Sequence, residues 1–309
     1  MLRYTARKFA LMLFTLFVIA TITFFLIYLL PGGPYQDPTK ITPTVKALFD
    51  AKYGLDKPVP IQYLRYLENL IHGDLGQSYK YLNRTVNDII AQTFPVSAQL
   101  GLQAILFGVP IGLIFGILSA LFRGKAVDYI FVFIAILGVS IPSFVLAAVF
   151  QYFLGLKLGW FPVARWGTFA HTILPSLSLA VGVIALITRL MRTSMLDVLG
   201  SDYLRTAKAK GLSNGVVIWK HGIRNALLPI VTIFGTLVVD LITGSIIIEQ
   251  IFAVPGVGKH YVNSINTNDY TLVMGLTIFY SAMFIFAIFI TDIAYGLVDP
   301  RIRTTGGKE

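Results

Sequence analysis

Six long apolar runs, separated by polar stretches of unequal length, set the pattern of this chain. The first, Phe9–Leu30, carries no charge over 22 residues. As a helix that is roughly 33 Å, against a bilayer hydrocarbon core of about 30 Å. The others are Val96–Leu121, Tyr129–Leu154, Thr172–Met191, Pro229–Phe252 and Thr271–Val298. Each predicts one membrane-spanning helix, and the longer runs predict tilt or extension beyond the bilayer. A removable leader also has a basic head and an apolar body, but its body is about 7–15 residues long and ends in a small-x-small site. Phe9–Leu30 is longer and runs into Leu29-Leu30-Pro31-Gly32-Gly33-Pro34, so an uncleaved first span is expected. Six spans put both termini on one side.

Two polar stretches stand out between the runs. Residues 31–93 are rich in Pro, Gly, Tyr and charge, with Tyr63–Ile71 and Thr85–Gln92 expected as short amphipathic helices. The stretch is too small for an independent enzyme domain with a sizeable core; it predicts a cap packed on the membrane part. The second is Gly200–Pro229. Ser201 stands where it can cap a short helix, Asp202 suits the positive end of its dipole, and Lys208 and Lys210 suit the negative end. Gly211 supplies a left-handed stop. Ser213 then stands to cap a second helix running to Leu228, with Val216, Ile223 and Leu227 near one face. The expected organisation is residues 1–30 as N-terminus and first span and 31–93 as an extracytoplasmic segment. A five-helix core over 94–298 holds the loop 192–228, and 299–309 form a tail.

Composition fixes the class. Hydrophobic residues make up 56% and charged residues 13%, with a mean hydropathy of +0.74; a soluble domain carries about a quarter charged residues. The absence of cysteine excludes a disulfide framework and thiolate metal ligation. The net charge of +10 is explained by where the bases fall. With the N-terminus inside, 15 of the 25 Lys and Arg lie on the cytoplasmic side, and seven of the ten outside sit in the long segment, where the positive-inside rule is weak. No nucleic-acid partner is needed to account for the charge. Trp160 and Trp166 fit an interfacial aromatic belt, and no internal repeat is visible, which speaks against an inverted-repeat carrier.

No enzyme site assembles. His72, His171, His221 and His260 lack metal-ligand spacing, and Gly124-Lys125-Ala126 and Gly258-Lys259-His260 fail as phosphate loops. No catalytic residue, metal site or cofactor is therefore expected in this chain, and uphill transport would need a partner ATPase or an ion gradient. Asp240 lies near the middle of the fifth run, where a carboxylate costs roughly 3 kcal/mol unless it meets water or a partner. It is either a residue on a substrate path or a hydrogen-bond partner of Gln99 or Gln103. Asp292 and Glu249 sit nearer span ends and are expected to be structural. Gly101, Gly108, Gly112 and Gly116 form a packing row.

These residues add up to a resemblance. Asp202-Tyr-Leu-Arg-Thr-Ala-Lys-Ala-Lys-Gly211-Leu-Ser with Arg224-Asn-Ala-Leu-Leu-Pro229 resembles the cytoplasmic loop of binding-protein-dependent ABC importer permeases. Leu30-Pro-Gly-Gly-Pro34, Tyr53-Gly-Leu-Asp-Lys-Pro58, Gly73-Asp-Leu-Gly-Gln-Ser78 and Ser140-Ile-Pro-Ser-Phe144 are similar to the peptide branch. So are Glu249-Gln-Ile-Phe252, Pro255-Gly-Val-Gly258 and Asp299-Pro-Arg-Ile-Arg303. The resemblance, to the first of the two permeases of an oligopeptide or dipeptide importer, implies an all-α integral membrane protein of six transmembrane helices with the type I importer fold. It further implies a second homologous permease, two cytoplasmic ATP-binding subunits, an extracytoplasmic substrate-binding protein and a peptide substrate, in the cytoplasmic membrane. Carried over by position, Ala207 and Gly211 match the family's Ala and Gly in the segment that couples to the ATPase, with Asp202, Arg205, Thr206 and Ala209 around them. Arg205 replaces the broad family's Glu, as in peptide-type permeases. A short capped helix between spans is a rigid lever, and the small Ala207 and Ala209 suit close docking; an amphipathic helix lying on anionic lipid is the alternative. Nickel and other small-solute permeases share the signatures, and an ion-coupled carrier using Asp240 and Asp292 is the rival from another class.

Overall fold

The computed structural model describes residues 2–30, 33–35, 42–81 and 83–298. The Asp299–Arg303 signature, the basic residues of the tail and Pro31-Gly32 lie outside them. In chain order the helices are α1 (Leu2–Tyr28), α2 (Pro43–Tyr53), α3 (Val59–Ile71), α4 (Val86–Leu121), α5 (Ala126–Ser140) and α6 (Ser143–Phe150). A π-helical turn, Gln151–Lys157, continues α6. There follow α7 (Phe169–Leu199), α8 (Asp202–Ala209), α9 (Asn214–Val216), a second π-helical turn (Val217–Ile223) and α10 (Arg224–Ala226). The last four are α11 (Leu228–Ile242), α12 (Ile246–Ile251), α13 (Val257–Asn266) and α14 (Tyr270–Val298). Among the described residues the one antiparallel pairing is an isolated bridge, Gln77 with Thr85.

Among the described residues, five helical stretches are long and apolar enough to cross a membrane: Tyr4–Tyr28, Val86–Leu121, Phe169–Leu199, Leu228–Ile251 and Tyr270–Ile293. The third apolar run departs from expectation. Instead of one rod it forms Ala126–Ser140 and Ser143–Lys157, bent by 103° at the junction. Pro142 has no amide hydrogen and disfavours the helical region for the residue before it; Ile141 sits at φ −86°, ψ 122°. Counted as one broken span, the pair makes six. The second run also differs. The short helix expected at Thr85–Gln92 and the span expected from Val96 are one helix of 36 residues, running unbroken through Pro95. The fourth continues past Met191 to Leu199, because Met195 is fully buried on the same face as Met191.

The chain divides into two compact units, residues 1–95 with 257–309, and residues 96–256. In the first, Lys8 on α1 pairs with Asp292 on α14 at 2.7 Å, so Asp292 has a structural partner. Phe24 and Phe25 of α1 pack against Tyr63 and, for Phe24, Tyr66 of α3. Val86, Ile89, Ile90, Val257, Leu272 and Leu276 form the core of this unit. The buried Asp269 is a junction: its carboxylate accepts from Ser78 Oγ, from the Tyr79 amide (3.0 Å), from the Lys80 amide (3.3 Å) and from the Leu272 amide at the start of α14 (3.2 Å). Nearby, a cavity of about 330 Å³ is lined by residues including Tyr35, Phe49, Tyr79 and Lys80, and burial pushes the Tyr79 hydroxyl up to about 12.

In the second unit α7 is the central rod. Its Val183, Ile187, Met191 and Met195 form one core with Ala120, Ile223, Ala226 and Ile230. The glycine row of α4 allows that packing. A Cβ at Gly108, Gly112 or Gly116 would lie 2.6, 2.8 and 2.6 Å from the Cβ atoms of Val183, Ile187 and Met191, distances no real contact tolerates. Gly101 faces α11 instead, against the Leu241 carbonyl. A second core joins Leu100, Ala147, Leu174, Ile248, Phe252 and Val254. Glu249, 1% exposed, is accommodated within this unit: Ser97 Oγ donates to it at 2.6 Å, and the missing Cβ atoms of Gly244 and Gly256 leave its carboxylate room.

Candidate functional site

The polar stretch between α7 and α11 contains the short helix expected after Ser201, α8, with its two faces clearly divided. On α8, Leu204 (2% exposed) and Ala207 (8%) are buried and pack with Val217 of the π turn, flanked by Val198 and Leu199 at the end of α7. The methyl of Ala207 therefore belongs to the contact that holds α8 onto its own chain. Asp202, Tyr203, Arg205, Thr206, Lys208 and Ala209 form the exposed face. Burying Leu204 and Val217 is worth about 1.5–3 kcal/mol each, enough to seat so short a helix.

The ends of α8 are set differently from what Ser201 alone implies. Ser201 occupies the N-cap position but makes no capping bond; its hydroxyl instead donates to the Val198 carbonyl at 2.5 Å. That bond ties the helix start back to α7. At the other end Gly211 has φ +82° with open space around its Cβ position. Its glycine is needed for backbone conformation, since a left-handed residue with a side chain costs roughly 1–2 kcal/mol. The Gly211 and Leu212 amides close onto the Lys208 and Ala207 carbonyls at 2.9 and 3.4 Å.

The exposed pair Asp202–Arg205 (3.3 Å) is 93% and 76% solvated and adds little to stability; both side chains remain available to a partner. Thr206 Oγ1 donates to the Asp202 carbonyl. Asn225 Nδ2 donates to Tyr203 Oη and to the His221 carbonyl, both at 3.0 Å, so α8 is also fastened to the turns beyond it. Ser213 occupies the N-cap of α9, again without a side-chain cap. Around the lever Tyr203, Leu212, Val216 and Trp219 are exposed at 44, 40, 41 and 71%.

Asp240 lies on α11 and is exposed. The carboxylate reaches neither Gln99 nor Gln103 in a hydrogen bond; Gln103 Oε1 accepts from Ser176 at 2.8 Å instead. Among the described residues no side-chain partner of Asp240 is present.

One polar cluster was not read from the sequence. Asp128, in the first turn of α5 and 3% exposed, accepts from Arg192 of α7 through Nε (2.8 Å) and Nη2 (2.9 Å). It also accepts from the Gly124 amide (3.0 Å) and from Ser119 Oγ at the end of α4. Arg192 Nε lies 3.0 Å from Ser119 Oγ as well. The available signal was an acid at the third helical position of an apolar run, but nothing local names its partner 64 residues away. Among the described residues no group of His, Asp and Glu is placed to hold a metal.

Residues 109–304 match the family described as binding-protein-dependent transport system inner membrane component, and residues 1–101 match its N-terminal companion. The chain is 47% identical to the dipeptide transport system permease protein DppB of Bacillus subtilis, over 98% of both chains. It is 45% identical to the oligopeptide transport system permease protein OppB of Haemophilus influenzae, over 98% of this chain and 100% of that one. Among solved structures, an amino acid ABC transporter with histidines aligns over 70% of this chain and 94% of its own, with TM-score 0.51 and 14% identity. The inward-facing MetNI methionine ABC transporter aligns over 68% and 94%, with TM-score 0.50 and 17% identity. These two establish likeness of fold.

Proposed function

From the premise that this chain belongs to the family of binding-protein-dependent transport system inner membrane components, we propose that it is a membrane-spanning permease subunit of an ATP-driven importer of dipeptides or oligopeptides. The observation that carries the cargo is identity of 41–47% over 98% of the chain to permeases named for those two substrates. The protein is a multi-pass component of the cytoplasmic membrane. It supplies a path and a lever, and ATP is hydrolysed on other subunits.

The charge asymmetry supports placing α8 on the cytoplasmic side, facing an ATP-binding subunit. Closure of that subunit pushes on the exposed face of α8, where Asp202, Arg205, Thr206 and Ala209 lie. Because Leu204 and Ala207 are packed against Val217, and Gly211 ends the helix in a closed turn, the push moves α8 as a solid piece. A second, homologous permease completes the cavity, and a substrate-binding protein on the outer face delivers the peptide. Asp240 is proposed to line the path, since its carboxylate is exposed on α11 and no hydrogen bond within the described chain occupies it.

The test is uptake of labelled di- to hexapeptides by vesicles holding this chain with its neighbouring permease, ATPases and binding protein. ATP-dependent uptake that survives collapse of the proton gradient is expected. Uptake that follows the gradient and ignores ATP would identify an ion-coupled carrier, and uptake of nickel in place of peptide would overturn the cargo.

A further inference from the structure

The Arg192–Asp128–Ser119 cluster lies apart from the exposed face of α8, and family resemblance assigns it no role. We propose that it is a clamp that makes α4, α5 and α7 move as one body, so that displacement of α8 reaches the break between α5 and α6. Arg192, Asp128 and Ser119 are in this sense positioning residues. The inference rests on the importer function proposed above.

The geometry argues for it in three steps. First, the input is stiff. Only Gly200 and Ser201 separate α7 from α8, and this joint is hydrogen bonded through the Gly200 amide to Leu196 O (3.2 Å) and the Ser201 amide to Val198 O (3.0 Å). A push on α8 is thereby a push on α7. Arg192 stands on the same rod, in its last turns.

Second, α5 meets α7 closely at Gly138, with small residues on both sides. A Cβ at Gly138 would lie 3.0 Å from that of Ala185 and 3.1 Å from Val181 Cγ1. Small residues allow close approach but offer few interlocking side chains to resist sliding or rotation. The planar guanidinium of Arg192 adds a directional contact to that close approach. By donating to both carboxylate oxygens it fixes the rotation of α5 as well as its distance, which a point charge does not. Ser119, bonded to both members, adds the end of α4.

Third, mere adhesion does not require charge here. An apolar replacement of similar volume often stabilises a buried site as well or better, and the attested benefit of retained ionic groups is register. The output of the clamp is α5, whose far end is the 103° break. Ser140 and Ser143 flank that break and are exposed, so a shift of α5 changes a polar surface midway along the third apolar run.

The experiment uses the complete importer with Asp128→Asn and Arg192→Lys, which keep size or charge but lose the fork. This chain has no cysteine, so with any cysteines of the other subunits replaced, spin labels at Leu212→Cys just past α8 and Val149→Cys on α6, both exposed, report movement. Expected are normal assembly and basal ATP hydrolysis, but peptide taken up per ATP lowered at least about threefold, with a reduced ATP-driven change in label distance. Wild-type uptake per ATP and wild-type distance changes in both variants would overturn the clamp. If neither variant assembles, Ser119→Ala removes one arm and leaves the ion pair, and an unchanged ratio there overturns it equally. A wild-type complex without ATP-driven peptide uptake would instead sink the importer function, so the two failures are distinguishable.

Discussion

On α8 the two alanines lie on opposite sides of the helix, Ala207 against Leu204 and Val217 and Ala209 in solvent. Their smallness has different consequences. Ala207→Glu forces a carboxylate into an apolar contact, which costs a few kcal/mol or detaches the helix. It is expected to abolish co-purification of the ATP-binding subunits. Ala209→Glu leaves α8 seated and is expected to keep the chain's thermal stability while weakening ATPase binding; equal behaviour of the two in pull-down and melting would refute this division. His260 offers a second residue-scale prediction. Burial first, then the nearby Arg84 and Lys259 charges, lower its pKa from 6.5, and its Nδ1 is buried with no hydrogen-bond partner among the described residues. The unfolded chain therefore binds a proton more readily than the folded one. The contribution of neutral His260 is fully present above about pH 6.5 and is lost as pH falls through the lower folded value. A His260→Leu variant should show a flatter decline of melting temperature between pH 7 and 5 than the native chain.

At the scale of elements, proline shows why an apolar run does not specify its own path. Pro95 and Pro110 lie inside α4 and Pro175 inside α7 without ending them, whereas Pro142 breaks the third run. Around Pro175, Leu174 and Ser176 are fully buried, and tertiary packing holds the helix where its own hydrogen bond is missing. Before Pro142, Ser140 is exposed and Ile141 only partly buried, so the local preference decides. Asp269 is the corresponding case among polar residues. It caps α14 and at the same time holds residues 78–80, a long-range role invisible in a lone acid before an apolar run. Asp269→Ala removes four acceptor contacts to a charged group and is expected to cost about 2–3 kcal/mol. The readouts are a lowered melting temperature in detergent and faster proteolysis within 72–85, and an unchanged cleavage pattern would refute the assignment.

For the whole molecule, the mid-run carboxylate of Asp240 has no side-chain partner among the described residues. Asp240→Asn should therefore leave membrane insertion and folding intact, since no intrachain bond is lost. If Asp240 meets the peptide or the second permease, uptake falls roughly tenfold, the order of one charged contact; native uptake in the assembled importer would remove it from the path. The membrane class, the apolar runs and the short helix α8 with its left-handed stop at Gly211 were legible because they depend on runs of hydrophobicity and on local backbone chemistry. The family resemblance, now matched over almost the whole chain, followed from the same short motifs. The order of residues could not say that Asp128 finds Arg192 or that Glu249 meets Ser97, because each is a contact across many residues; nor that Ala207 faces inward, which depends on the turn that brings Val217 beside it. Local sequence determined what forms a helix and where water is excluded; the tertiary structure decided which polar groups meet inside, since a buried charge is settled only by the partner that folding brings to it.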